Sequence, residues 1–223
     1  MTRVSELETE TGPASAAERA YEYVKERLLD GRYAGGTLLS ENELARRLGI
    51  SRTPVRDAFS RLEAEDLLTL YPRRGAVVVP ISSSEADDLL EARLLIEPHC
   101  ARRVAAYHSD IGLALEGSIA TQESALGLGG AGFIASDRGF HRMIVAANDN
   151  ELLLRQYDFL RDRHQRIAAT TIAREPARIE RFIAEHREIA RAISDGDPDA
   201  AADLMAVHLQ TAHALARRSP RER

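Results

Sequence analysis

The sequence contains no tryptophan, few aromatic residues and a single cysteine, and it has no apolar run of the roughly 20 residues that span a bilayer. The lone Cys100 excludes an intramolecular disulfide, and its place in an aliphatic helical stretch favours a small core residue over a reactive thiol. The N-terminus is acidic where a signal peptide would be basic and then apolar. We therefore expect a cytoplasmic protein with no membrane partner, whose mainly aliphatic apolar residues favour helix-on-helix packing.

A net charge of -5 on 223 residues argues against a uniformly basic nucleic-acid binder, but the charge is unevenly distributed. Residues 15–80 carry 11 Lys and Arg against 10 Asp and Glu, so the acidic excess lies outside this segment. Attraction to phosphate is local, because salt screens charges over about 10 Å. The charge therefore permits a DNA-binding N-terminal domain, and the length suits two domains.

Local signals in residues 15–80 predict a winged helix-turn-helix, after a disordered leader over residues 1–14. Ser40 and Glu43 form a capping box at the start of one helix, and Gly49 supplies its end. Ser51 is the predicted cap of the next helix, with Pro54 in its first turn. Extended residues 67–71 and 76–79 flank a turn and predict a β-hairpin, the wing of such a domain.

Arginines mark the predicted DNA-facing side of this domain. Arg52 and Arg56 are four residues apart, so both project from one side of the helix that follows Ser51. A guanidinium there fits a phosphate or a guanine edge. The alternative is a solvated helix face. The capped helix, the short turn and the hairpin together favour DNA binding, with the contacts drawn from Ser51, Arg52, Thr53, Arg56, Arg73, Arg74 and Gly75.

After a linker at 81–84, the segment from 85 to 218 shows helical periods throughout and is followed by a short tail at 219–223. We predict an antiparallel six-helix bundle, which makes the protein mainly α. The predicted helices, with boundaries uncertain by a few residues, cover 85–107, 110–126, 133–147, 150–171, 176–194 and 198–217.

Four side chains in this half could converge on a metal ion. Asp137 and His141 are four residues apart on one helix, while His186 and His208 lie on two later helices. The pattern alone leaves the alternative open that Asp137 caps its helix and that each histidine is a hydrogen-bonded core residue.

The N-terminal motifs resemble those of the GntR family of transcription regulators over the whole first domain. The motifs are Ser40-Glu41-x-Glu43-Leu44-Ala45, Ser51-Arg52-Thr53-Pro54-Val55-Arg56-Asp57-Ala58, Leu62-Glu63-Ala64-Glu65 and Arg73-Arg74-Gly75. The resemblance implies that Arg52 and Arg56 contact bases or backbone, that Thr53 contacts phosphate and that Arg74 with Gly75 enters the minor groove. Two residues depart from the family: Asn42 replaces a common basic residue, and Asp66 replaces a glycine and must adopt a left-handed backbone.

The C-terminal half resembles the FCD domain, the effector-binding module of the FadR branch, and its six helices resemble the shorter, VanR-like type. The motifs are Glu91-Ala-Arg93-x-x-x-Glu97-Pro98, Asp137-x-x-Phe140-His141, Glu185-His186-Arg187 and His208. By this resemblance Asp137, His141, His186 and His208 hold a divalent ion, and the donor types favour zinc, nickel or manganese over calcium. The resemblance also implies a small carboxylate effector, with Arg93 as a second anchor.

Two functions remain to be weighed. The first is a transcription regulator, expected to be a repressor, that binds an inverted-repeat operator as a homodimer and whose operator affinity the effector controls. The second is a metal-dependent hydrolase in which the Asp and three His side chains activate water. The hydrolase hypothesis leaves the DNA-binding domain unexplained, so we expect a regulator and not an enzyme.

Overall fold

The computed structural model describes residues 14–128 and 130–216, which divide into two compact units. One unit runs to residue 28 and resumes over 35–79, and the other comprises residues 29–34 and the chain from 80 onward. The predicted leader, apart from Ala14, and the predicted tail lie outside the described residues. Among the described helices, none combines the length and the apolar character that a membrane crossing requires.

The first unit is a winged helix-turn-helix, as predicted. Its small antiparallel sheet has β3 in the centre, paired with β1 on one side and β2 on the other. The described elements are α1 (Ala16–Leu29), β1 (Leu38–Leu39), α2 (Glu41–Leu48), α3 (Arg52–Ala64), β2 (Leu68–Tyr71) and β3 (Gly75–Val78).

Capping residues mark both ends of α2 and the start of α3. The Ser40 hydroxyl accepts a hydrogen bond from the Glu43 amide at 3.4 Å, and Gly49 ends α2 with a φ of 64°. The prediction that Ser51 caps α3 is wrong in one respect: its backbone has the extended N-cap conformation, but its hydroxyl makes no capping hydrogen bond. The predicted left-handed backbone at Asp66 is confirmed by a φ of 58°.

The inner face of α3 forms the centre of the unit's core. Val55, Ala58, Phe59 and Leu62 recur at steps of three and four residues, and all four side chains are buried. Burying this stripe turns the opposite face of the same helix, including Arg52, toward solvent. The amphipathic pattern thus fixes which side of α3 is available to a partner.

Strand β1 was not predicted, because two residues carry no readable period. It exists through its pairing with β3, in which Leu38 faces Val77 and Leu39 faces Ala76. This pairing brings the β1 backbone against Gly75, the first residue of β3. Gly75 has a φ of 102°, and a Cβ built there would lie 2.2 Å from the Leu39 carbonyl oxygen. A glycine is therefore required by the fold at this end of the wing.

Gly75→Ala is expected to lower the free energy of unfolding of the winged unit by about 3 kcal/mol, because left-handed strain adds to a clash with backbone. Gly36→Ala is the matched control, since Gly36 also has a positive φ, 84°, but nothing lies within 4 Å of its Cβ position. We expect a loss of only about 1 kcal/mol in the control. Urea denaturation followed by circular dichroism measures both, and equal losses would contradict the close approach to β1.

The second unit is a bundle of six α-helices within the described residues, in agreement with the predicted number. The helix α4 begins at Ser83, two residues before the predicted start, because the Ser82 hydroxyl accepts a hydrogen bond from the Glu85 amide at 3.0 Å. The helices are α4 (Ser83–Tyr107), α5 (Gly112–Ser124), α6 (Gly130–Ala146), α7 (Glu151–Arg174), α8 (Ile179–Ser194) and α9 (Pro198–Ala216).

The bundle core is mainly aliphatic with a few aromatic side chains, and in it α4 packs along α9 while α6 packs against both α5 and α7. Cys100 lies fully buried in this core, where burial raises the pKa of its thiol to about 11. The thiolate is therefore strongly disfavoured, in agreement with the predicted core role. Ten polar or charged side chains are buried among the described residues, and several of them gather around α6.

Candidate nucleic-acid interface and metal centre

Arg52 and Arg56 lie on the outer face of α3, with 59% and 63% of their side chains exposed. Ser51 and Thr53, which precede and follow Arg52, are exposed as well. The first turn of α3 therefore presents two guanidinium groups, two hydroxyls and a helix N-terminus to solvent. This combination can donate hydrogen bonds to phosphate and to base edges.

Glu41 connects the two helices of this face, and the sequence pattern indicated no such role. Its carboxylate accepts from Arg52 Nη2 at 3.2 Å and from Arg56 Nε at 3.4 Å. Burial raises the pKa of Glu41, but the two arginines outweigh burial and hold the pKa below its ordinary value. The ionised carboxylate thus holds both guanidinium groups on the same side of the motif.

The turn of the wing carries Arg73 and Arg74, and both side chains are exposed. Arg73 has a positive φ of 65°, and the Arg74 amide donates to the Tyr71 carbonyl at 3.0 Å, which closes the turn. Gly75 follows the two arginines. Its close approach to β1 explains why a glycine is needed here, whether or not it contacts a DNA groove. The two arginines are the groups at the tip that can bind a polyanion.

In the second unit, the four predicted ligands converge. Asp137 and His141 come from α6, His186 from α8 and His208 from α9, and one donor atom of each lies within 4.8 Å of the others. The Nε2 atoms of His186 and His208 are 3.2 Å apart, and Asp137 Oδ1 lies 3.6 Å from His186 Nε2 and 3.8 Å from His141 Nε2. All four residues are buried.

Each histidine is oriented by a partner at its other ring nitrogen. The Nδ1 atoms lie 2.7 Å from Glu97 for His141, 2.8 Å from Gln122 for His186 and 2.8 Å from Glu185 for His208. An acceptor at Nδ1 fixes the tautomer that carries its proton there and leaves Nε2 with a lone pair. All three Nε2 atoms are thereby directed to one centre, as ligands of a metal ion are.

The electrostatics of the cluster fit a cation. Burial, reinforced by the neighbouring imidazoles, lowers the pKa of His186 well below its ordinary value, and burial also lowers the pKa of His208. Both rings are therefore neutral at pH 7, and their lone pairs face each other across 3.2 Å. Two facing lone pairs repel unless a positive centre lies between them, and neutral imidazole is the form that binds metals.

Arg93 reaches the same region from α4. Its Nε donates to Glu97 at 2.5 Å, and its Nη1 contacts His164 Nε2. Its Nη2 is buried and has no hydrogen-bond partner among the described atoms. Burial raises the pKa of Glu97, but Arg93 and His141 outweigh burial and hold the pKa well below its ordinary value. Glu97 thus links Arg93 to the metal cluster as a carboxylate.

The site thus contains residues that the sequence did not identify as functional. His164 was assigned no role, yet it is the contact that holds one side of the Arg93 guanidinium. Gln122 carried no signal at all, because its partner His186 is 64 residues away. Glu97 could have been found, since its spacing of four from Arg93 on one helix predicts an ion pair.

A winged helix-turn-helix followed by a helical bundle with a buried cluster of one Asp and three His defines a class of bacterial transcription regulators. Residues 16–78 match the model for bacterial regulatory proteins of the gntR family, and residues 88–211 match the FCD domain. The chain belongs to the GntR family and carries an FCD domain. Members of this family are transcription regulators and not enzymes.

Two curated relatives are similar to this chain over most of their length. The chain is 29% identical to the probable D-xylose utilization operon transcriptional repressor of Paenarthrobacter nicotinovorans, over 87% of this chain and 86% of that protein. It is 28% identical to the transcriptional repressor RspR of Escherichia coli, over 92% and 90%. A solved GntR regulator from Rhodococcus sp. RHA1 shares the fold with a TM-score of 0.77 at 21% identity, over 93% of this chain and all of that one.

Proposed function

We propose that this protein is a transcriptional repressor that binds an inverted-repeat operator as a homodimer. We further propose that a small carboxylate controls its operator affinity through a divalent ion held by Asp137, His141, His186 and His208. The observation that carries the proposal is the convergence of three imidazole Nε2 atoms and one carboxylate oxygen in the buried bundle. Curated relatives that match nearly the whole chain are named as repressors, which supports the sign of regulation.

The donor set indicates which ion would be held. Three nitrogen ligands and one oxygen ligand favour zinc, nickel or manganese over calcium, which prefers oxygen alone. Four protein ligands leave coordination positions open in a five- or six-coordinate ion, where it supplies a positive centre for a carboxylate oxygen. Arg93 contributes the second anchor, because its unpaired Nη2 needs an acceptor.

The residues of α3 and of the wing are proposed to contact different parts of the DNA duplex. Arg52 and Arg56, held together by Glu41, are proposed to contact base edges or backbone, and Ser51 and Thr53 to contact phosphate. The tip residues Arg73 and Arg74 are proposed to enter the adjacent groove, with Gly75 shaping their turn.

Effector control follows from symmetry in this proposal. A dimer presents two α3 helices to two half-sites, so operator affinity depends on their spacing. An effector that binds one arrangement of the helical units better than another shifts that spacing by its difference in affinity. The hydrolase alternative is not supported, because the family to which the chain belongs consists of regulators.

The proposal is tested by fluorescence anisotropy with an operator obtained by selection from random duplexes. We expect binding at least about a thousandfold tighter than to random DNA. Acetate, a carboxylate with a single methyl group, is expected to weaken operator binding by the zinc-loaded protein and to have no effect after chelation. Binding that ignores sequence would contradict the DNA proposal, and an acetate effect that survives chelation would contradict the metal-dependent sensor.

A further inference from the structure

Beside the metal cluster, the helical unit contains a cavity of about 60 Å³ lined by α4, α6, α7, α8 and α9. Part of its wall is polar and consists of Arg93, His164 and three members of the cluster. The rest is mainly aliphatic and aromatic, and includes Leu89, Leu90, Ile167, Ile172, Phe182 and Leu209. The cavity therefore offers an anion site joined to an apolar chamber.

The polar wall includes the Arg93 guanidinium, a group that pairs with carboxylates. Glu97 and His164 occupy two nitrogens of the Arg93 guanidinium and leave the buried Nη2 without an acceptor. A buried N–H group without an acceptor destabilises the protein, and a carboxylate is the strongest acceptor for it. Because the guanidinium is held from two sides, it cannot turn away to satisfy itself elsewhere.

The apolar wall contains few groups that could form a hydrogen bond with a ligand hydroxyl. Apart from the anion site, its described polar members are Thr171 and His213. The Thr171 hydroxyl donates to the Ile167 carbonyl at 3.0 Å, and His213 Nε2 lies 2.7 Å from Asp87. The Thr171 hydroxyl proton is already donated, although its oxygen can still accept, and one ring nitrogen of His213 is engaged. A ligand hydroxyl among the aliphatic side chains of the wall would lose its water and gain no equivalent partner, which weakens binding roughly tenfold or more.

The volume limits the length of the ligand. A water molecule needs roughly 10–15 Å³ of such space, so 60 Å³ accepts only about four to six groups of that size. A carboxylate, which has three heavy atoms, and a tail of up to about three carbons fill it. A six-carbon sugar acid carries a hydroxyl on nearly every carbon and brings groups that the wall cannot satisfy.

We propose that the effector is a short aliphatic monocarboxylate of up to about four carbons, bound with its carboxylate at Arg93 and the cluster and its tail in the apolar chamber. This inference rests on the proposed carboxylate-sensing function and narrows it. It distinguishes a fatty-acid-like effector from a polyhydroxy acid by the wall of the cavity alone.

The first test is calorimetric titration of the full-length, zinc-reconstituted protein with acetate, propionate, butyrate, 3-hydroxybutyrate and gluconate. Each added methylene from acetate to butyrate is expected to raise affinity roughly fourfold. 3-Hydroxybutyrate is expected to bind at least about tenfold more weakly than butyrate, and gluconate more weakly than acetate. Equal affinity for butyrate and 3-hydroxybutyrate, or preferential binding of gluconate, would overturn the inference.

The second test uses a larger side chain to fill part of the apolar chamber. Ala168 lines the cavity, so Ala168→Leu is expected to weaken butyrate at least about tenfold and acetate by less than about twofold, with the zinc content unchanged. The exposed Ala184 on α8 gives the matched control, Ala184→Leu, which should bind both acids as the unmodified protein does. Should Ala168→Leu fail to fold, Ala212→Val makes a smaller change in the same wall.

The outcomes of these tests distinguish a failure of this inference from a failure of the proposed carboxylate-sensing function. If acetate binds but butyrate binds no more tightly, or if Ala168→Leu weakens both acids equally, the apolar chamber is not the tail site and only the inference fails. If the zinc-loaded protein binds none of the carboxylates, the proposed sensing function fails and the inference falls with it.

Discussion

Replacing His186 with alanine is expected to remove stoichiometric metal from the purified protein. Its Nε2 lies 3.2 Å from His208 Nε2 and 3.6 Å from Asp137 Oδ1, so its loss removes one of the four converging donor atoms. A four-ligand zinc site contributes roughly 10–16 kcal/mol, which makes one ligand worth about 3 kcal/mol, or at least a hundredfold in affinity. Elemental analysis after dialysis against a weak chelator measures the loss.

His108→Ala is the matched control, because His108 is a histidine of the same unit that ends α4 outside the cluster. It should keep its full metal content. The melting temperature gives a second measurement: removing the ion with a strong chelator should lower it in the unmodified protein and leave it unchanged in the His186 variant. Full metal retention by the variant would remove His186 from the site.

The convergence of the four candidate ligands could be predicted because three of them belong to short motifs. Asp137 and His141 share a helical face at a spacing of four, and His186 lies in a charged motif on another helix. Their orienting partners could be predicted only in part. Glu185 adjoins His186 in the chain but contacts His208, and Gln122 lies on α5. Partners that meet only through tertiary packing leave no period in the sequence.

The winged unit shows the same division between local and tertiary signals. The Ser40 cap of α2, the glycine that ends this helix and the hairpin follow from neighbours in the chain and are found as predicted, whereas the Ser51 hydroxyl makes no capping hydrogen bond. Strand β1 and the contacts of Glu41 with Arg52 and Arg56 were missed. Glu41 gives no local indication that it shares a site with Arg52 and Arg56, because they lie 11 and 15 residues further along the chain.

The double variant Arg52→Ala/Arg56→Ala is expected to weaken operator binding by at least about thirtyfold. Each guanidinium that contacts a base edge contributes roughly 1–3 kcal/mol, and the side chains are mainly exposed, so the fold should be preserved. Anisotropy titrations over a range of salt concentrations identify the contact. The loss of two phosphate contacts reduces the slope of log affinity against log salt by about 2, whereas the loss of base contacts relaxes sequence preference at nearly constant slope.

Arg191→Ala is the control for this pair, because Arg191 is an exposed arginine on α8 in the helical unit and its loss changes net charge without touching α3. It should alter operator affinity by less than about twofold. Glu41→Gln supplies the intermediate case, since it leaves both guanidinium groups in place but removes the charge that aligns them. A graded order, with Glu41→Gln between the control and the double variant, is what direct DNA contact by an aligned pair requires. Operator affinity and salt slope unchanged in the double variant would mean that α3 does not face the duplex.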